Sequence, residues 1–133
     1  MPANTTPIFP VTPVIGIATL TGATAITTYT NITGTTGLTQ LTATSTNGTR
    51  IDTISVLGKA TTVASKITIW LYDGTTSYVV DEILITAVTL ANTTAEFSAQ
   101  KSYTTMVLPP TYQLFISQTV STNVNVFAYG GQY

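Results

Sequence analysis

The stretch that most constrains this chain runs from Lys66 to Ile85, KITIWLYDGTTSYVVDEILI. Ile67, Ile69 and Leu71 alternate with Thr68, Trp70 and Tyr72. Successive side chains leave a strand on opposite faces, so one face is aliphatic and the other carries Thr and the aromatics. Asp73-Gly74 follows, then Thr75, Thr76 and Ser77. Gly accepts positive φ and Asp bonds its own backbone, so the strand turns back here. The returning arm, Tyr78 to Ile85, is rich in β-branched residues, which suit a pleated surface. The stretch predicts a β-hairpin, and with it a β-domain.

The remaining chain reads the same way. Val14 to Leu20 predicts a first strand and Ala23 to Ile32 a second. Asn31 to Gly37 (NITGTTG) is a loop, and Leu38 to Thr44 alternates cleanly. After an Asn47-Gly48 turn, Thr49 to Gly58 predicts a strand, with Ile54 and Val56 on one face and Ile51 and Leu57 on the other. Phe97 alternates with Glu96 and Ser98, and Pro109-Pro110 makes a rigid break. Tyr112 to Thr119 and Val124 to Tyr129 complete the set, with Gly130-Gly131-Gln132-Tyr133 as a tail. Nowhere does a helical period persist. About eight to ten short strands, with turn signals every eight to twelve residues or so, predict an all-β fold: an antiparallel β-sandwich or jelly roll. Strand order does not follow from this pattern.

Ahead of the single domain expected over residues 14–133 lies an arm, residues 1–13, holding Pro2, Pro7, Pro10 and Pro13. Prolines at this density exclude a helix and favour an extended segment. Within it, Pro7, Ile8, Phe9, Pro10 and Val11 form an apolar run. These five are the candidate contact residues for a neighbouring subunit or a docking surface.

Composition narrows the function. Only 7% of the 133 residues are charged, against about 25% in ordinary soluble domains. Thr occurs 32 times and supplies polarity without charge. The four basic residues, Arg50, Lys59, Lys66 and Lys101, are scattered. Neutralising a phosphate backbone takes clustered cations, so nucleic acid is not an expected partner. No apolar run reaches the length of a membrane-spanning helix. The N-terminal stretch lacks the basic and apolar regions of a signal peptide. A net charge of −1 leaves little self-repulsion and favours association with copies of the same chain or a partner.

The chemical inventory is short. There is no Cys and no His, which removes thiol and imidazole nucleophiles, bases and metal ligands. The carboxylates are Asp52, Asp73, Asp81, Glu82 and Glu96. Asp81 and Glu82 are adjacent, and on a strand they point to opposite faces, so they cannot flank one glycosidic bond. Asp73 belongs to a turn. No catalytic, cofactor or metal residue is expected, and the chain reads as a non-enzyme. The sequons at Asn4, Asn31, Asn47 and Asn92 reflect the abundance of Asn and Thr. Trp70 and Tyr72 admit three readings: packed core or inter-sheet residues, a platform for sugar stacking, or a subunit interface.

Four runs in residues 48–133 carry a resemblance: GTRIDTISVLGKAT, ITIWLYDGTTSYVVDEILITAVT, MVLPPTYQLFIS and NVNVFAYGGQY. Together they resemble small β-proteins among the virion structural proteins of tailed bacteriophages, of the head decoration or cement type. The resemblance implies binding to the major capsid protein lattice on the outside of the head, association with copies of itself as a homotrimer, and no active site. A tail- or fibre-associated virion module and a secreted carbohydrate-binding or adhesin domain are the alternative expectations.

Overall fold

The structure is a computed structural model that describes residues 10, 12–22 and 25–133. Among them are nine strands and no helix. These are β1 (Thr12–Leu20), β2 (Ile32–Thr33), β3 (Thr39–Gln40), β4 (Thr49–Gly58), β5 (Ser65–Tyr72), β6 (Thr76–Ile85), β7 (Ser98–Leu108), β8 (Gln113–Gln118) and β9 (Val124–Gln132). They form a four-stranded sheet, β1-β9-β4-β7, and a five-stranded sheet, β2-β6-β5-β8-β3. All pairings between these strands are antiparallel. The expected hairpin is β5–β6, closed at Asp73-Gly74, where Gly74 has φ 99°.

The pairings nest. β5 pairs with β6, β4 with β7, β3 with β8 and β1 with β9. The chain is therefore one long hairpin, with its tip at Asp73-Gly74, rolled so that alternate pairs fall in opposite sheets. That is the jelly-roll form of the sandwich.

Between the sheets lies one core, built from Leu20, Ile51, Ile54, Val56, Ile67, Ile69, Leu114, Ile116, Val124 and Val126, all at most 1% exposed. Each buried aliphatic side chain of this size stabilises the fold by about 1.5–3 kcal/mol relative to exposure. A second, smaller core lies on the far face of the five-stranded sheet. There Trp70 and Phe115 are buried along with Thr68, Ser77 and Ser117. The Trp70 indole N–H donates to Ser117 Oγ at 2.8 Å, and Tyr72 meets Phe115 edge-on with centroids 5.6 Å apart.

What covers this second core corrects two expected strands. Ala23 to Ile32 is not a strand across its described residues. Ala25 makes an isolated bridge to Gln118, and only Ile32–Thr33 pairs, with Ser77 and Thr76. Leu38 to Thr44 contracts to Thr39–Gln40, paired with β8. Residues 34–38 thus join opposite edges of one sheet. A flat sheet would set those edges roughly 19 Å apart, four strand spacings. The Thr35–Leu38 turn shortens the connection further, so the sheet curls and the segment passes over its outer face. Ile26, Ile32 and Leu38 are half-buried there, while most of its threonines face solvent. Tertiary packing overrides the strand propensity of these threonines, because a strap across strands cannot also pair within them.

β4 corrects a face assignment. Ile51 pairs with Gly130 and Thr53 with Tyr129, leaving Asp52 as an extra residue. Such a bulge reverses the side-chain phase. Ile51, Ile54 and Val56 therefore share the core face, and Leu57, expected beside Ile51, is exposed. β9 is longer than expected, because Gly130 and Gly131 continue the ladder. A Cβ on Gly130 would collide with the Arg50 carbonyl oxygen. β1 begins at Thr12, so the last two residues of the expected arm belong to a strand.

Candidate interaction surface

The outer face of the four-stranded sheet carries several large apolar side chains that the fold leaves exposed. Its β1 half reverses the usual order of burial. Gly16, Ala18 and Leu20 point inward, while Ile15 and Ile17, larger than Gly16 and Ala18, point outward and are 60% and 61% exposed. The cause lies across the open side of the sandwich. The Leu41 backbone packs so close to Gly16 that an inward Cβ at this position would strike the Leu41 carbonyl oxygen. Only Gly allows that approach, and once Gly16 faces in, Ile15 and Ile17 must face out.

On the neighbouring strand, Tyr129 stands opposite Ile15 and Phe127 opposite Ile17. The two rings stack with centroids 6.3 Å apart. Ile15, Ile17, Phe127 and Tyr129 therefore make a two-by-two apolar block on a regular ladder. Leu57 and Val107, also exposed, lie toward opposite ends of the same face. Thr19 and Asn125 close the block at one end through a 2.9 Å hydrogen bond. Toward the Val107 end stands Arg50, whose guanidinium is paired with Asp52 at 2.7 Å.

The arm enters at the other end of the block. Gly131 lies on the outward side of β9 yet is buried, because Pro10 sits over it. A Cβ on Gly131 would come within 2.5 Å of Pro10 Cβ. Of the five candidate contact residues, Pro10 is placed by the structure against this face. Pro7, Ile8, Phe9 and Val11 lie outside the described residues.

The opposite open side of the sandwich is closed by charge. Asp81 of β6 accepts from Lys101 Nζ at 2.5 Å and from the Tyr103 hydroxyl at 2.7 Å, both on β7. Burial alone would raise the Asp81 pKa, but Lys101, Tyr103 and the Glu82 N–H hold the carboxyl below its usual value. Tyr103 moves the other way: burial first, and then the neighbouring carboxylate, push its hydroxyl well above the ordinary phenol value. Beside this cluster, three residues of β7, Tyr103 to Thr105, oppose Asp52 alone, so β7 bows outward. The bow opens a shallow groove of about 370 Å³ lined by Val80 and residues 102–106.

The other polar groups have structural duties. Asp73 accepts from the N–H groups of Thr76 and Thr75 at 2.8 Å, which lower its pKa in that order and lock the hairpin turn. Glu82 points to the face opposite Asp81, as the alternation requires, and pairs with Lys66 at 3.3 Å. Lys66 also lies 4.5 Å from the Tyr29 ring centroid. Its pKa is raised first by Tyr29 and then by Glu82, against an opposing desolvation effect. Among the described residues no three His, Cys, Asp or Glu side chains converge on a metal-sized site. Trp70 is fully buried, so of its three readings the packed one fits: its ring is open neither to a sugar nor to a neighbouring subunit.

Sequence reasoning expected contacts through the arm and one exposed sheet face or edge that it could not name, and it did not single out the β1–β9 block. The one available signal was the order of sizes in Val14-Ile15-Gly16-Ile17-Ala18. Alternation alone assigns the larger pair to the core, and nothing local reveals that Leu41 occupies that space.

Compared with known proteins, the chain matches no family model, no curated sequence and no solved structure.

Proposed function

We propose that this chain is a non-enzymatic structural virion protein, a capsid decoration protein that binds the outside of a tailed-phage head. In this reading it acts as a homotrimer against the major capsid protein lattice. The observation that carries the reading is the apolar, uncharged block of Ile15, Ile17, Phe127 and Tyr129 on a regular sheet face. Apolar patches of this kind mark contact surfaces, and the cores of interfaces are depleted in charge and enriched in aromatic residues. In this reading the arm run Pro7, Ile8, Phe9, Pro10 and Val11 also takes part in the contact, and Pro10, the one of the five that the structure describes, lies against Gly131 of the same face.

Three further points support it. Four of the five carboxylates are committed to a turn or an ion pair. The jelly roll is a fold that capsid proteins use, which is support by analogy of fold only. The resemblance of residues 48–133 to phage virion proteins points the same way.

Co-sedimentation with tailed-phage heads stripped of their decoration protein tests the reading. Saturable binding at a fixed copy number, lost in Ile17→Lys, is expected. Absence of binding to heads overturns it, and binding to tails instead moves the protein to the tail- or fibre-associated alternative.

A further inference from the structure

The two edges of the four-stranded sheet differ in kind. An edge strand offers unpaired N–H and C=O groups to any other strand, and proteins blunt such edges with charge, bulges, proline or a cover. The β7 edge has two of these devices, Lys101 and the bow at residues 103–105. The opposite edge is β1, nine residues long, with an unbroken register against β9 and no charged side chain. Among the described residues β9 is its only partner strand. Pro13 is second in the strand and interrupts only its start. Pro10 sits over Gly131 of β9, away from the open edge. Lys59, bonded to Thr21 Oγ1 at 3.0 Å, lies beyond the end of the strand.

β1 is also complementary to itself. An antiparallel partner must set outward residues against outward ones and inward against inward. Two copies of β1 related by a two-fold axis through Gly16, the middle residue, satisfy this along the whole strand. On the outward face Ile15 then lies opposite Ile17 of the second copy, and Ile17 opposite its Ile15. On the inward face Gly16 meets Gly16, and Val14 meets Ala18. Directly opposed β-branched side chains are favourable cross-strand pairs, and the strand bears no charge to repel its own copy.

We propose that β1 of one molecule pairs with β1 of a second copy about this axis, joining two four-stranded sheets into one continuous sheet. The contact is strand addition: main-chain hydrogen bonds hold it, and the opposed isoleucines fix its register. The outer face stays open, and the two apolar blocks merge across the axis. The inference goes beyond the virion reading and does not rest on it. A two-fold contact and a three-fold one use different surfaces and combine in dihedral assemblies.

The chain contains no cysteine, so single thiols can be introduced cleanly. Ile15→Cys and Ile17→Cys are oxidised at low protein concentration, each alone and as a mixture. In the proposed register positions 15 and 17 of the two copies are opposed, about 5 Å apart between Cα atoms, while like positions are roughly 8 Å apart, beyond the disulfide limit of about 7 Å. The expected result is a covalent dimer of one chain of each kind, formed severalfold faster in the mixture than in either variant alone. Equal rates in all three samples, or no dimer, overturn the proposal. A second measurement is independent of the thiols. The double variant Ile15→Lys with Ile17→Lys sets like charges directly opposite each other across the axis, and should halve the native mass seen by light scattering. An unchanged mass, or an unmodified chain that is already a monomer, contradicts the pairing. Neither measurement involves phage heads, so failure of the pairing leaves head binding as a separate question.

Discussion

The Tyr103 hydroxyl on β7 donates to the Asp81 carboxylate on β6 at 2.7 Å, and this bond joins the two sheets across an open side of the jelly roll. With Lys101 on the same carboxylate, it is the polar counterpart of the Gly16–Leu41 contact on the opposite side. Tyr103→Phe removes the donor and leaves Asp81 partly buried with one partner fewer. The expected loss is about 1.5–3 kcal/mol, the range for hydrogen bonds to charged groups. Lys101→Ala should cost less than about 1 kcal/mol, since the ammonium is largely solvated. Urea denaturation of both variants measures the order, and an equal loss in the two would remove the hydrogen bond's primacy.

The same cluster sets a pH window. The native Asp81 pKa lies below its ordinary 3.8. Its contribution is present above that value, where both states are ionised, and is lost as pH falls through the native pKa. The Tyr103 pKa is raised from 10.0. Its contribution is full below pH 10 and declines above it, because the unfolded phenol ionises first. Stability should therefore be level from about pH 5 to 9 and fall on both sides. Asp81→Asn should flatten the acid limb, and Tyr103→Phe the alkaline one, in denaturation curves across pH.

Two glycines should respond very differently to Ala. At Gly130 the new Cβ meets the Arg50 backbone, which cannot yield without opening the β9–β4 ladder. A loss of at least about 3 kcal/mol, or failure to fold, is expected. At Gly74 nothing lies within 4 Å, and only the φ of 99° resists. That strain costs about 1–3 kcal/mol. Thermal melts of the two variants test the ranking.

Trp70 gives a direct readout of the strap across the five-stranded sheet. Its emission should be blue-shifted and resistant to iodide quenching, because the ring is buried. Ser117→Ala leaves the indole N–H without its partner and should cost about 1–3 kcal/mol. Glycan titration should leave the emission unchanged, and a shift would restore the sugar-binding alternative.

Much of this architecture was legible in the chain, and the reasons are local. The β5–β6 hairpin follows from clean alternation and an Asp-Gly turn, both short-range signals. The opposed directions of Asp81 and Glu82 follow from the same period of two. The strap over residues 25–38 was not legible, because its threonines have high strand propensity and only distant strands decide whether they pair. The phase of β4 was not legible either, since the bulge at Asp52 is defined by its partners on β9 and β7.

By itself, the sequence determined that this chain is an all-β domain, poor in charge and without thiol or imidazole chemistry. Composition and a two-residue period suffice for that. Tertiary structure alone decided the nested strand order, the burial of Trp70, the sealing of Asp81 against β7 and the outward turn of Ile15 and Ile17. Each of these depends on contacts between residues far apart in the chain. The Leu41 backbone against Gly16 is the plainest case: one close approach across the sandwich reverses which side of a strand is core and which is surface.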